Sequence, residues 1–167
     1  MGSGKTAVGR ELARALGKQF FDSDAEIEKR TGVDIPFIFQ KEGEPKFRER
    51  ERDVLSELTS LDGVVVATGG GSILDPTNRE RLSATGTVIY LKTGVQEQLR
   101  RTRNTRNRPL LETEDPRAVL ERLAAVRDPL YEAIADITVD TTGRQVRAVV
   151  LAVRQLLRKH SEPSLQK

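Results

Sequence analysis

The stretch MGSGKT (residues 1–6) decides the fold, and a helical pattern over residues 7–17 follows it directly. Gly4, Lys5 and Thr6 match the end of the pattern G-x-x-x-x-G-K-[ST], which forms a phosphate-binding loop. In such a loop, glycines let backbone N–H groups converge on phosphate oxygens, and the helix N-terminus adds partial positive charge. The stretch predicts a phosphate loop that opens a helix, against the alternative of a Gly/Ser-rich initial tail.

The helix after the loop supports the first interpretation. Val8, Leu12 and Leu16 recur every four residues, and Gly17 provides a natural stop. We expect Lys5 to reach the β- and γ-phosphates of a nucleotide. The hydroxyl group of Thr6 is expected to ligate magnesium.

The beginning of this motif is absent from the sequence. The leading glycine of the pattern would lie before residue 1, as would the strand that precedes such a loop. We therefore expect an upstream strand of roughly six residues together with the first half of the loop. On this interpretation Met1 is an internal methionine and the chain is truncated at its N-terminus.

Composition limits the class of protein. The chain has 167 residues, of which 37% are hydrophobic and 32% charged, as is typical of one globular domain. We expect no membrane span, because no apolar run approaches eighteen residues. The absence of cysteine excludes disulfides, and a single histidine excludes a histidine cluster. A cytoplasmic protein is the simplest interpretation, and the net charge of +3 favours anionic partners.

Short apolar runs alternate with helical patterns. The candidate strands are residues 17–21, 63–67, 87–91 and 136–140, and helical patterns include residues 54–61, 120–126 and 146–157. Continuous apolar strands between helices predict an α/β fold with a parallel sheet covered on both faces. We expect one domain over residues 1–160 and a disordered tail over residues 161–167.

Asp22 and Asp24 lie two residues apart beyond the first candidate strand. In extended backbone, residues i and i+2 share one face. Ligands of open α/β sheets bind at the carboxyl ends of the strands. The two carboxylates could therefore hold hydrated magnesium and accept a proton, and the alternative is an acidic turn that caps a helix.

Three consecutive glycines, Gly69, Gly70 and Gly71, follow the second candidate strand. Such a run costs backbone entropy, so it predicts that a ligand approaches bare backbone there. A flexible loop is the alternative.

Arginines supply the remaining candidates. Residues 43–51 combine a turn at Gly43 with the start of a charged helix, and Arg48 lies in this stretch. Its spacing alone favours a side chain on a solvent-exposed helix face that forms weak i,i+4 ion pairs. The default interpretation of Arg127 is a cation near a helix C-terminus, where positive charge is favoured. Pro129 is expected to end that helix. The first interpretation of Phe39 and Phe47 is likewise that they are residues of the hydrophobic core.

Five arginines crowd into residues 100–108. This segment predicts a mobile basic loop, because arginine can neutralise a transferring phosphoryl group while a lid excludes water. A nucleic-acid patch is the alternative, and the lack of interleaved aromatic residues weakens it.

Together these motifs resemble the shikimate kinase family. The resemblance runs from Met1 to about residue 160 and rests on the order of MGSGKT, FFDSDAEIEKRTG, GEPKFRERE, ATGGGS, NRPLL and RDPLY. It implies a three-layer sandwich of the P-loop nucleoside-monophosphate-kinase-like fold, here without its first strand. It also implies transfer of a phosphoryl group from ATP to the 3-hydroxyl of shikimate, by a monomer that binds neither nucleic acid nor membrane.

The resemblance further implies residue roles. Residues Gly2, Ser3, Gly4, Lys5, Thr6 and Ala7 would cradle the ATP phosphates. Thr6 and Asp22 would hold magnesium, and Lys5, Asp24 and Arg108 would be catalytic. Arg108 would act from a lid over about residues 102–114, and Arg101 and Arg144 would lie near the adenine.

For shikimate, the resemblance implies a binding region over residues 25–52. Arg48 and Arg127 would grip the carboxylate, and Asp24 would contact the attacking hydroxyl. Gly69, Gly70 and Gly71 would line the ring, and Phe39 and Phe47 would wall the site. A related kinase of the same fold, such as one acting on gluconate, and an inactive truncated form are the alternatives.

Overall fold

In the computed structural model, which describes residues 2–102 and 115–161, the phosphate loop leads directly into helix α1 (Lys5–Leu16). Gly4 precedes the helix with φ 84°, and Gly17 ends it with φ 65°. Both are left-handed conformations that glycine adopts without steric cost. The predicted start and stop of this helix are confirmed.

The remaining elements alternate between helix and strand. In chain order they are β1 (Gln19–Asp22), α2 (Ser23–Thr31), α3 (Ile35–Thr59), β2 (Val64–Ala67), a 3₁₀ turn (Ser72–Leu74), α4 (Pro76–Thr85), β3 (Ile89–Lys92), α5 (Val95–Thr102), α6 (Pro116–Ile134), β4 (Ile137–Asp140) and α7 (Val146–Ser161). All four predicted strands are present, and each begins one or two residues later than predicted.

The strands form two parallel pairs. β1 pairs with β2 from Gln19 opposite Val64, and β3 pairs with β4 from Ile89 opposite Ile137. The predicted α/β class with parallel strands is confirmed. In the described part of the chain, no strand joins the β1–β2 pair to the β3–β4 pair.

Two apolar clusters hold the helices on the strands. The first joins α1, β4 and α7 through Val8, Leu12, Val139, Val149 and Val153. The second joins α2 and α3 through Ile27, Ile38, Phe47, Val54 and Leu58, with Phe21 and Val66 of β1 and β2 packed against it. Each such side chain contributes about 1.5–3 kcal/mol when fully buried. This packing fixes the carboxyl ends of β1 and β2 beside the amino ends of α1 and α2.

One predicted helix end is wrong. Pro129 lies inside α6, which continues to Ile134, so Arg127 is not near the helix C-terminus. Tertiary contacts of the flanking residues outweigh the cost of proline in the helix interior. The turn predicted at Gly43 is present, because Gly43 has φ 80° and ψ 170°, a non-helical conformation that separates the two helical parts of α3.

The basic segment is also helical at its start. Arg100 and Arg101 lie in α5 rather than in a loop. Glu97 accepts hydrogen bonds from both guanidinium groups, at 2.8 Å and 2.7 Å from the respective Nε atoms. This neutralisation explains why so polar a segment forms a helix. The rest of the predicted lid, residues 103–114, lies outside the described residues, as does most of the predicted tail, residues 162–167.

None of the helices in residues 2–102 and 115–161 has the length and apolar character needed to cross a membrane.

Candidate active site

The phosphate loop has the backbone that anion binding requires. Gly2 has φ 70°, and a Cβ atom there would lie 3.3 Å from the Cα atom of Gln98. Gly4, which precedes α1, has no side chain that could cap the helix. The helix dipole favours the negative charge of a phosphate group at this N-terminus. Ser3 is buried in this loop, and Ala7 is exposed on the first turn of α1.

Arg101, in α5, stabilises the phosphate loop through hydrogen bonds. Its Nη1 atom donates to the carbonyl oxygens of Gly2 at 3.3 Å and Ser3 at 3.4 Å, and its Nη2 atom donates to Thr141 at 2.8 Å. Arg144, which is exposed, lies in the same loop after β4, where its backbone N–H donates to the carbonyl of Thr141. Arg101 therefore contacts the phosphate loop, and Arg144 lies in the loop after β4. The contact of both arginines with adenine stays a prediction.

The two predicted magnesium ligands meet at the end of β1. The hydroxyl group of Thr6 donates to the Oδ2 atom of Asp22 at 2.6 Å. The Oδ1 atom of Asp22 accepts from the backbone N–H of Asp24 and so caps α2. Within the described residues, no group of three or more Asp, Glu, His or Cys side chains could hold a metal. Magnesium bound with nucleotide needs only one or two carboxylates, phosphate oxygens and water, and this pair fits that arrangement.

Asp24 is a half-buried carboxylate in the first turn of α2, and its Oδ1 atom is buried. Its Oδ1 atom has no hydrogen-bond partner within the described residues. Burial raises the pKa of Asp24 to about 6, and the charges of Asp22 and Glu51 add to this effect while Lys5 opposes it. A carboxylate with a pKa near neutrality is suited to accept a proton from a substrate hydroxyl.

The glycine run is packed against charged side chains. A Cβ atom on Gly69 would lie 2.5 Å from Oδ1 of Asp24, and one on Gly71 would lie 2.5 Å from Nη2 of Arg48. A Cβ atom on Gly70 would lie 3.5 Å from Nη1 of Arg127. Because these glycines have no side chains, charged groups of the protein can approach their backbone closely. The carboxylate of Asp24 and the guanidinium groups of Arg48 and Arg127 therefore lie together at the glycine run.

Arg48 is not the solvated charge that its spacing favoured. Its Nη1 atom donates to Oε2 of Glu51 at 2.6 Å, and its Nη2 atom donates to Oε1 of Glu44 at 2.8 Å. Glu51 is only 1% exposed, and burial raises its pKa. A buried pair of this kind fixes the guanidinium in position, because breaking it would leave an uncompensated charge.

Arg127 lies beside Arg48 and has no anionic partner within residues 2–102 and 115–161. Its Nε atom is buried with no hydrogen-bond partner, and it makes no ion pair within the described residues. Burial lowers the pKa of Arg127, and the positive charge of Arg48 lowers it further. A buried cation is costly unless it is paired. The two guanidinium groups thus form a site for an anion, and their planar forks match a carboxylate.

The two phenylalanines differ in burial. The ring of Phe47 is 4% exposed, as predicted for the core, whereas Phe39 is 37% exposed, so its prediction as core is wrong. The ring centroids lie 4.7 Å apart, on either side of the kink at Gly43. Their role as walls of a ligand site stays a prediction.

Sequence reasoning missed residues that hold the glycine run. The backbone N–H of Gly69 donates to the buried hydroxyl of Ser23 at 2.9 Å. The hydroxyl of Tyr131 donates to the carbonyl of Gly70 at 2.7 Å. Tyr131 stacks on Tyr90 at 4.9 Å. The i,i+4 spacing of Arg127 and Tyr131 could have indicated that both side chains lie on one helix face.

Comparisons with known proteins agree with this geometry. The family model described as shikimate kinase matches residues 1–158. A shikimate kinase of Halorhodospira halophila is 57% identical over 157 residues, covering 94% of this chain and 89% of the relative. A shikimate kinase of Thioalkalivibrio sulfidiphilus is 54% identical over 165 residues, covering 99% of this chain and 87% of the relative.

Solved structures give the same result. The shikimate kinase from Acinetobacter baumannii in complex with shikimate has a TM-score of 0.94 and 49% identity, over 97% of this chain and 90% of that chain. The shikimate kinase from Aquifex aeolicus has a TM-score of 0.82 and 32% identity, over 98% of this chain and 95% of that chain. Since the family model spans nearly the whole chain and these relatives share its sequence and fold, the chain belongs to the shikimate kinase family.

Proposed function

We propose that this site transfers the γ-phosphoryl group of ATP to the 3-hydroxyl group of shikimate, with Asp24, Arg48 and Arg127 acting on shikimate. One observation carries the assignment of residues. A half-buried carboxylate with a raised pKa and two guanidinium groups converge on one glycine run. A substrate with a carboxylate at one end and a reactive hydroxyl at the other matches this arrangement of charge.

Arg48 and Arg127 bind the substrate carboxylate. The charge of Arg127 has no counter-ion within the described residues. A bound carboxylate would therefore offset both the cost of burying this charge and its repulsion from Arg48. Glu51 keeps Arg48 in place through a 2.6 Å contact. Each charge-assisted hydrogen bond is worth about 1.5–3 kcal/mol. This pair selects acids over neutral sugars.

Asp24 accepts the proton of the substrate hydroxyl. As the hydroxyl oxygen bonds to the γ-phosphorus, the bond from that phosphorus to the bridging oxygen breaks, and ADP leaves. The proton passes to the carboxylate of Asp24. Its Oδ1 atom, which has no partner in the described part of the chain, is the atom proposed to accept it.

The phosphate loop binds the ATP phosphates. Backbone N–H groups at the N-terminus of α1 and the ammonium group of Lys5 contact the oxygens, and Arg101 holds the loop. Thr6 and Asp22 would hold Mg²⁺, which when bound neutralises charge on the β- and γ-phosphates. Arg108 lies outside the described residues, and its role as a lid arginine that reaches the phosphates stays a prediction.

The wider setting follows from composition and family. We propose that the enzyme works as a monomer in the cytoplasm, on ATP and shikimate, without nucleic acid or membrane as a partner. The one-domain boundary at residue 160 and the binding region at residues 25–52 belong to the same proposal. The lack of cysteine and the charged composition support it.

An assay of substrate dependence tests this function. With ATP and Mg²⁺ present, ADP release is expected to require shikimate and to remain at background with gluconate. The reason is that the pair of arginines needs a carboxylate beside a ring hydroxyl that reaches Asp24. Release that depends on gluconate would contradict the assignment. Binding of single-stranded nucleic acid that weakens steeply with salt would instead support the alternative role of the basic segment.

Tyr131→Phe is expected to raise the KM for shikimate about three- to tenfold while the KM for ATP changes little. The substitution removes the hydrogen bond to the Gly70 carbonyl, which is worth about 0.5–1.5 kcal/mol, but keeps the stacked ring. The matched control is Tyr90→Phe, which removes the hydroxyl bonded to Asp128 and also keeps the stack. Steady-state kinetics of both variants measure the difference. Equal effects of the two variants on shikimate would overturn the positioning role of Tyr131.

A further inference from the structure

The guanidinium group of Arg101 connects the phosphate loop to the loop that follows β4. Its Nη1 atom donates to the carbonyl oxygens of Gly2 and Ser3, at 3.3 Å and 3.4 Å. Toward the other loop, Nη1 donates to the Oγ1 atom of Thr141 at 3.3 Å, and Nη2 donates to its carbonyl oxygen at 2.8 Å. One side chain therefore sets how two loops from opposite ends of the chain lie relative to each other.

The loop after β4 is anchored independently of these contacts. The buried hydroxyl groups of Thr93 and Thr141 are hydrogen-bonded to each other at 2.6 Å. The backbone N–H of Gly94 donates to the Oγ1 atom of Thr142 at 3.1 Å. This loop is thus tied to the end of β3 and the start of α5. The guanidinium group therefore rests on a fixed loop and controls the position of the phosphate loop.

The contacts also orient two peptide units of the phosphate loop. All peptide bonds of the described residues are trans, so the C=O and N–H of one unit point in opposite directions. The carbonyls of Gly2 and Ser3 point at the guanidinium group, so the N–H groups of Ser3 and Gly4 point away from it. Glycine backbone turns over at low cost. A unit that turned over would present a carbonyl oxygen where the loop needs an N–H donor.

Glu97 holds the guanidinium group in this orientation. It lies one turn before Arg101 on α5 and is only 9% exposed. Its Oε1 atom accepts from the Nε atom of Arg101 at 2.7 Å, which leaves both Nη atoms directed at the two loops. Arg100 donates to both oxygens of the same carboxylate, at 2.8 Å and 2.7 Å. Hydrogen bonds from Arg100 and Arg101 lower the pKa of Glu97 to about 2, so the carboxylate is charged near neutral pH.

We propose that Glu97 is a positioning residue for nucleotide binding. It holds the Arg101 guanidinium group against the carbonyls of Gly2 and Ser3, and this contact keeps the N–H groups of the phosphate loop directed at the phosphates. The inference rests on the proposed binding of ATP at this loop. The carboxylate of Glu97 bonds to arginines of its own helix, so its effect on the nucleotide passes through Arg101.

A double-variant cycle tests this inference, with the Kd for ADP and Mg²⁺ measured by calorimetry. Arg101→Ala is expected to raise this Kd about tenfold, and Glu97→Ala about three- to tenfold. Glu97→Ala is expected to add less than about twofold when Arg101 is already alanine, because the carboxylate then has no guanidinium to hold in place. Glu97→Gln keeps the shape of the side chain and one acceptor, so it is expected to raise the Kd less than Glu97→Ala does.

The matched control is Arg100→Ala, which removes the other partner of the same carboxylate and is expected to leave the Kd for ADP within about twofold. Effects of Glu97→Ala and Arg101→Ala that add in the double variant would overturn the inference, because Glu97 would then support the fold in general. An unchanged or lower Kd in Glu97→Ala would also overturn it. Since ADP binding is measured without shikimate, a protein that binds ADP but does not act on shikimate would contradict the proposed function alone.

Discussion

Asp24→Asn is expected to lower kcat by about 10²–10⁴-fold and to change the KM for ATP by less than about threefold. Asparagine keeps the shape of the side chain but cannot accept the proton of the substrate hydroxyl. The phosphate loop and the contact between Thr6 and Asp22 remain intact, so nucleotide binding survives. Steady-state kinetics with ATP and shikimate varied separately measure both effects. A kcat within twofold of the original would exclude Asp24 as the base.

The pH dependence of the same residue is a second readout. Because the pKa of Asp24 is about 6, kcat/KM for shikimate is expected to fall as pH drops through 6 and to level off above 7. In Asp24→Asn that step is expected to vanish from the residual activity. A profile that is flat from pH 5 to pH 8 in the original protein would contradict the assignment.

The same substitution is expected to stabilise the unliganded protein at pH 8. The folded pKa of Asp24 lies above the ordinary value of 3.8, so the folded state binds more protons than the unfolded state between these values. Stability is therefore lost as pH rises from about 4 to 6, and removing the charge is expected to restore up to about 3 kcal/mol. Urea unfolding should show this gain at pH 8 and no gain below about pH 4. This combination of lower kcat and higher stability separates a functional carboxylate from a structural one.

Arg127→Ala is expected to raise the KM for shikimate about 10- to 100-fold, with the KM for ATP nearly unchanged. The factor corresponds to the loss of one charge-assisted contact with the substrate carboxylate, about 1.5–3 kcal/mol. Since Arg127 has no ion-pair partner within the described residues, its removal leaves no stranded charge. The folded protein should therefore keep its stability, and the effect on KM should be one of binding.

Arg48→Ala is expected to have a comparable effect on KM and an additional cost in stability. The substitution leaves the buried carboxylate of Glu51 without the hydrogen bond that it accepts from Arg48 at 2.6 Å. Arg52→Ala is the matched control, because Arg52 lies one turn further along α3 and pairs with Asp75 instead. If both arginines hold one carboxylate, the double variant will cost less than the sum of the single variants. Unchanged shikimate kinetics in Arg48→Ala and Arg127→Ala would refute the carboxylate site.

Local features of the site could be predicted from the sequence. The phosphate loop, the start and stop of α1, the four strands and the position of Asp22 and Asp24 beyond β1 all follow from short-range patterns. Helical and strand periodicity, glycine caps and turn residues act within a few positions, so a single segment contains the information. The order of six motifs also indicated the family, and the family comparison confirms that interpretation.

Other features depended on contacts between distant segments. The spacing of Arg48 favoured a solvated charge, but the packing of α3 against the glycine run buries its partner Glu51. Pro129 was expected to end a helix, but α6 continues through it and brings Arg127 and Tyr131 to Gly70. Local propensities differ by about 1–3 kcal/mol, which tertiary packing exceeds.

By itself the sequence determined the α/β class, the phosphate loop and the family, because these depend on residue order along the chain. Only the tertiary structure decided that Asp24, Arg48 and Arg127 meet at the glycine run. It also decided that β1 pairs in parallel with β2 and that β3 pairs in parallel with β4. Burial, charge repulsion and edge pairing arise between segments tens of residues apart, so they exist only once those segments are packed.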